Sequence, residues 1–98
     1  MKRLFAVIRS HGASWQALRS LEAQEDWEPH ASFMNGLEQE GFVVLGGPLE
    51  GTPDVLLIIR ATTPEEIAER LSADPWSRRD LLRVSRVAPW DLRLGSLR

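Results

Sequence analysis

Gly41-Phe42-Val43-Val44-Leu45-Gly46-Gly47-Pro48-Leu49-Glu50-Gly51-Thr52-Pro53-Asp54-Val55-Leu56-Leu57-Ile58-Ile59 holds two strands in succession. Phe42 to Leu45 is a short apolar run closed by Gly46-Gly47-Pro48, which reads as a tight turn. Glu50 to Asp54 is a turn by composition, and Val55 to Ile59 lacks polar alternation, as a strand buried on both faces does. A helix flanks the pair on each side. Upstream, after Pro29, the residues His30, Phe33, Met34 and Leu37 fall at i, i+3, i+4 and i+7 and share one face, and Gly41 stands where a C-cap is expected. Downstream, Thr63-Pro64-Glu65-Glu66 has the form of a capping box with proline at the first helical position, and Ile67, Ala68 and Leu71 make one stripe.

Further out, Lys2 to Arg9 is a short strand with Leu4, Ala6 and Ile8 on one side and Phe5, Val7 and Arg9 on the other, both faces largely apolar, ended by Ser10-His11-Gly12. Leu82 to Val87, with alternating Arg and Ser, is a last strand ended by Pro89-Trp90. Asp74-Pro75 opens a short turn of helix, and the spacing of Trp15, Leu18 and Leu21 predicts a further helix from Ser14 to Gln24. The main order is strand, helix, strand, strand, helix, strand. That order predicts an α+β fold, a ferredoxin-like βαββαβ antiparallel sheet with the helices on one face. Two strands apolar on both sides would leave a large apolar patch on the other face, and a second copy of the same sheet is the most economical cover. A homodimer, or a higher oligomer built from it, is therefore expected.

The chain has 98 residues, one small domain over 1–98, because single cores split only above ~250 residues. Hydrophobic residues make up 43% and charged residues 27%, which argues for a packed core and against disorder. There is no cysteine, so disulfides, thiol nucleophiles and thiolate zinc sites are excluded. The two histidines, His11 and His30, stand too far apart in sequence to define a metal site, and no metal is expected. The apolar run Val55 to Ile59 is bounded by Asp54 and Arg60, far short of the ~18 residues of a membrane span. Leu4 to Ile8 is shorter than a signal-peptide core and Arg9 interrupts it, so a cytoplasmic protein is expected. Twelve basic against fourteen acidic residues give a net charge of -2, which removes the general attraction for nucleic acid. Residues 20–50 carry seven carboxylates and no Lys or Arg, whereas residues 78–98 carry six Arg and two Asp. Either these segments face each other or the second attracts an anion.

No Gly-x-Ser-x-Gly elbow, dinucleotide-binding glycine motif, Walker lysine or tyrosine is present, which leaves acid-base chemistry without a cofactor. His30 is either a core histidine or a general base in the first turn of its helix. Asp74 is either the cap before Pro75 or the acceptor that holds the other ring N–H of a catalytic histidine. Gly47 and Pro48 either let a ligand approach the backbone or serve only the turn. Arg78, Arg79, Arg83 and Arg86 either grip a substrate carboxylate or form a solvated edge. Trp76 and Trp90 either wall a pocket or fill core and dimer contacts, with Trp15 and Trp27 equally open. His11 reads as a surface residue in a loop.

His30-Ala31-Ser32-Phe33-Met34-Asn35-Gly36-Leu37, the Gly41 to Leu49 stretch, Ala73-Asp74-Pro75-Trp76 and Val87-Ala88-Pro89-Trp90 together resemble the YciI-like proteins, or YCII-related domains, of the dimeric alpha+beta barrel superfamily. The resemblance covers nearly the whole chain and is weakest from Ser10 to Trp27. It implies a dimeric α+β barrel whose active site is a His-Asp pair, which by motif position falls on His30 and Asp74. Superfamily relatives include muconolactone-type isomerases, dehydrochlorinase-like lyases and cofactor-independent monooxygenases, acting on small, often cyclic molecules between helix and sheet. The expectation is a small cofactor-independent enzyme performing isomerisation or elimination on a small organic acid or cyclic metabolite. The alternative is a non-catalytic dimeric module that binds a small molecule or supports another enzyme. On the first view His30 and Asp74 meet within hydrogen-bond distance at a concave pocket. Gly47, Pro48, Trp76 and Arg78 contact the ligand there, and Asp74→Asn lowers turnover less than His30→Ala, which abolishes it.

Overall fold

The computed structural model describes residues 1–97. Four strands, β1 (Arg3–His11), β2 (Val43–Pro48), β3 (Asp54–Ala61) and β4 (Leu82–Pro89), form one sheet in the order β2-β3-β1-β4. Every neighbouring pair is antiparallel. Helices α1 (Trp27–Gln39), α2 (Pro64–Ser72) and α3 (Pro75–Arg78) join them, which gives the ferredoxin-like βαββαβ arrangement with α3 added before the last strand.

The caps behave as their residues require. Thr63 accepts a hydrogen bond from the Glu66 N–H at 3.1 Å, with Pro64 opening α2. Gly41 takes φ 82°, and the Phe42 N–H reaches back to the Leu37 carbonyl at 3.0 Å. This closes α1 as a Schellman turn does, where a side chain would be strained. α1 begins at Trp27, two residues before Pro29, and the His30 N–H bonds to the Asp26 carbonyl, so His30 still lies in its first turn.

The period of two along the strands divides the side chains. Phe5 and Val7 from β1, with Leu57, Ile59 and Ala61 from β3, face the helices and pack with Leu37, Ile67 and Leu71. Leu4, Ala6, Ile8, Leu56 and Ile58 alternate with them and lie on the opposite face, where no helix packs.

Two expectations are corrected. Gly46-Gly47-Pro48 is not a turn: all three residues pair with β3, opposite Leu57, Leu56 and Val55, and a bulge between Val43 and Leu45 sets their register. Glycine is admitted at 46 because a Cβ there would stand 2.6 Å from Cδ2 of Leu57. The segment from Ser14 to Gln24 is not a helix beyond a single 3-10 turn at Leu21–Ala23. The buried Gln24 side chain holds it, accepting from the Gln16 N–H at 3.0 Å and donating to the carbonyls of Gln16 and Arg19 at 2.8 and 3.1 Å. An amide that satisfies a loop from within competes directly with helical hydrogen bonding. Trp15 and Leu21 then pack beside Trp76 and Leu82 on the helix side of the sheet, so this segment does not cover the opposite face.

The acidic and basic segments do meet, through Arg79, which pairs with Asp26 and, at 3.2 Å, with Glu25. No described helix is long and apolar enough to cross a membrane.

Candidate functional site

A cavity of about 410 Å³ opens between α1 and the β2–β3 side of the sheet. α1 contributes Trp27, His30, Met34, Asn35 and Glu38, and β2 contributes Val43 through Pro48. Trp76 of α3 and Arg9 of β1 complete its inner wall. The lining is mainly apolar and aromatic, with few polar groups, as small-molecule sites commonly are.

His30 is buried, and its Nδ1 stands 2.9 Å from both carboxylate oxygens of Asp74. The indole of Trp76 lies flat on the imidazole, 3.7 Å between centroids and 6° from parallel. Trp76 is itself fixed by its ring N–H, which donates to the Glu25 carbonyl at 2.6 Å. Asp74 is 0% exposed and stands behind the imidazole, outside the cavity lining. It also caps α3, accepting from the Trp76 N–H at 3.0 Å. Its outer partner is Arg9, whose Nη1 donates to Asp74 Oδ2 at 2.8 Å while Nη2 donates to the Ser77 hydroxyl at 2.7 Å.

These contacts fix the charge state of the carboxylate. Burial pushes the Asp74 carboxyl up, but the hydrogen bonds from His30 and from the Trp76 amide, the His30 charge and the bond from Arg9 outweigh it, so the group is held below the ordinary carboxylate value. An ionised carboxylate only accepts, so the proton in the shared bond belongs to Nδ1 of His30. That leaves Nε2 as the imidazole nitrogen without a hydrogen-bond partner among the described residues. A neutral imidazole of this tautomer presents a lone pair that can take a proton, and the buried carboxylate can stabilise the cation so formed.

The structure thus brings together His30, Asp74 and Trp76, with Gly47 and Pro48 on the cavity wall as part of β2. It does not bring Arg78 to them: Arg78 lines a separate polar hollow with Ser14, Gln16 and Glu25. Arg79 is occupied by Asp26 and Glu25, and Arg83 by Asp80. Trp90 lies outside the cavity lining and is partly exposed. His11 is not in a loop as expected: it is the last residue of β1, paired with Leu82 and half-buried, it stacks on Trp15 at 3.8 Å, and burial lowers its pKa against the opposing pull of Asp54. Among the described residues no cluster of three His, Asp or Glu is arranged to hold a metal ion.

Arg9 is the residue that sequence reasoning missed. The strand period places it on one side with Phe5 and Val7, and that side is the buried one, which leaves Arg9 1% exposed. A cation at that register requires a buried carboxylate, and that was the available signal.

No family model matches the chain, and no curated protein sequence matches it. Among solved structures it is similar to 5-chloro-2-hydroxyhydroquinone dehydrochlorinase (TftG) from Burkholderia phenoliruptrix AC1100, in complex with 2,5-dihydroxybenzoquinone. The two share 20% sequence identity over 94% of this chain and 95% of that chain, with a TM-score of 0.57. At that identity the likeness speaks for the fold: a small antiparallel sheet with helices on one face.

Proposed function

We propose that the cavity is an active site in which His30 acts as a general base, oriented by Asp74, for isomerisation or elimination on a small cyclic molecule. The observation that carries this is the 2.9 Å contact of Nδ1 with both oxygens of a fully buried carboxylate, on an imidazole that lines a cavity. In the first step Nε2 removes a proton from a C–H or enolic O–H beside a carbonyl. The released electron pair either moves through the ring to be reprotonated elsewhere or forms a double bond as a leaving group departs with its own pair. Trp76, flat against His30, favours the imidazolium that forms.

The cavity favours a neutral ring over an organic acid. Among the described residues its one lining cation is Arg9, already paired with Asp74, and Glu38 adds a negative charge. Trp27, Met34 and Trp76 offer flat or adaptable apolar contact. The structural neighbour's hydroxylated, chlorinated ring substrate and quinone ligand agree in class with this reading, as does the YciI-like resemblance of the site motifs.

The experiment is a panel of lactones, cyclic enols and halogenated hydroxy-aromatics in D₂O, with loss of a C–H signal or release of halide followed for wild type and His30→Ala. Turnover in wild type that disappears in His30→Ala supports the proposal. Equal turnover in both refutes it.

A second reading, a binding or accessory module, is favoured by one fact: Asp74 also caps α3 and neutralises Arg9. On that reading the panel gives binding without turnover.

A further inference from the structure

Resting on the general-base reading of His30, we infer that Arg9 is a positioning residue whose fixed charge sets the proton inventory of the site. Its 2.8 Å contact gives Asp74 a cation that does not depend on the protonation of the ring, so that the carboxylate stays ionised while the single proton of the pair resides on His30 Nδ1 and Nε2 remains bare.

A carboxylate sealed from water is costly unless a cation compensates it. His30 is a conditional partner, charged only when doubly protonated. Arg9 is unconditional, since guanidinium does not lose its proton in proteins. Both Arg9 and Asp74 are sealed, at 1% and 0% exposure, and their contact is 2.8 Å. The Ser77 hydroxyl holds the second arm of the guanidinium and donates in turn to the Leu71 carbonyl at 2.8 Å. This fixes the side chain against the end of α2. Arg9 donates to one oxygen of Asp74 and the Trp76 amide to the other, and His30 Nδ1 stands 2.9 Å from both.

Without the Arg9 charge two arrangements become available, and both leave a proton on Nε2. Either Asp74 becomes neutral and donates to Nδ1, which moves the ring proton to Nε2, or His30 takes a second proton to supply the missing charge. Neither leaves a bare base facing the cavity. A merely structural ion pair predicts no such change.

The test is ¹⁵N-imidazole NMR on the full chain near neutral pH, with His11→Gln used to assign the His30 signals. Wild type is expected to show a protonated Nδ1 and an unprotonated Nε2. Arg9→Met is expected to lose the unprotonated Nε2 signal, and turnover on any active panel compound is expected to fall by roughly 10²-fold, the scale of lost acid-base assistance. Arg9→Lys, which returns the charge, is expected to restore both. If Arg9→Met fails to fold, Arg9→Gln makes the same comparison, since it offers a donor to Asp74 without the charge. A folded Met or Gln variant that keeps the wild-type nitrogen pattern overturns the role of Arg9 and leaves His30 as base. A wild-type ring already protonated at Nε2 overturns the base reading itself.

Discussion

Asp74 has three tasks at once: it caps α3, pairs with Arg9 and accepts from His30. That load makes Asp74→Asn the costlier of the two substitutions for stability, although it is expected to be the milder one for turnover. His30→Ala removes one hydrogen bond and a stacking contact from a residue at the cavity wall, and is expected to cost about 1–2 kcal/mol. Asp74→Asn leaves Arg9 buried without a counter-charge and is expected to cost about 3–5 kcal/mol. Combining it with Arg9→Met should recover much of that loss. Urea unfolding of the three variants checks this, and an Asp74→Asn protein as stable as wild type would show that the ion pair contributes nothing. The same carboxylate predicts a pH dependence. Its pKa is lower in the folded chain than the ordinary value of about 3.9, so its contribution is fully present above that value and is lost as pH falls through the folded pKa. Wild type should therefore lose stability more steeply below about pH 4 than Asp74→Asn does, measured by chemical denaturation across an acid series.

At the scale of the element, β2 is a strand whose outward appearance as a turn comes from Gly46, Gly47 and Pro48, residues that usually interrupt strands. The bulge at Val43 to Leu45 and the position of β2 at the sheet edge make room for them. Their registers differ in consequence. A side chain at position 46 meets Leu57 in the core, whereas a Cβ at 47 meets nothing within 4 Å. Gly46→Val is expected to destabilise by about 1–3 kcal/mol through overpacking and to narrow the cavity. Gly47→Ala should stay within ~0.5 kcal/mol of wild type. Thermal melts of the pair distinguish a strand registered this way from a loop, in which both changes would be tolerated alike.

At the scale of the whole molecule, the sheet has helices on one face and Leu4, Ala6, Ile8, Leu56 and Ile58 on the other, with Leu45 of β2 opposite Ile58 and 53% exposed. An apolar face of this kind on a chain of 98 residues is a natural surface for a second copy, since two such sheets bury each other symmetrically. Sedimentation equilibrium at micromolar concentration is expected to give a dimer for wild type and a monomer for Ile8→Glu. A monomeric wild type would refute the face-to-face pairing. The cavity lies on the helix side, so Ile8→Glu should leave its residues in place and separate assembly from ligand binding.

The family resemblance, not a local signal, joined His30 and Asp74 as a candidate pair; the sequence by itself determined the main order of elements, the capped starts of α2 and α3 and the Gly41 stop. All of these are local: a cap, a proline or a helical period acts within a few residues, so its signal is complete in the chain. Only the tertiary structure decided that Gly46 to Pro48 are strand, that Gln24 holds its loop out of a helix, that Arg78 lies away from the cavity and that Arg9 reaches Asp74 from 65 positions away. Each depends on a partner distant in sequence, and sheet register and burial choose which distant partners meet. Asp74 shows the difference at a single residue. Its neighbour Pro75 announces the cap, but only the packing of β1 against α1 and α3 places a cation on one side of its carboxylate and an imidazole on the other.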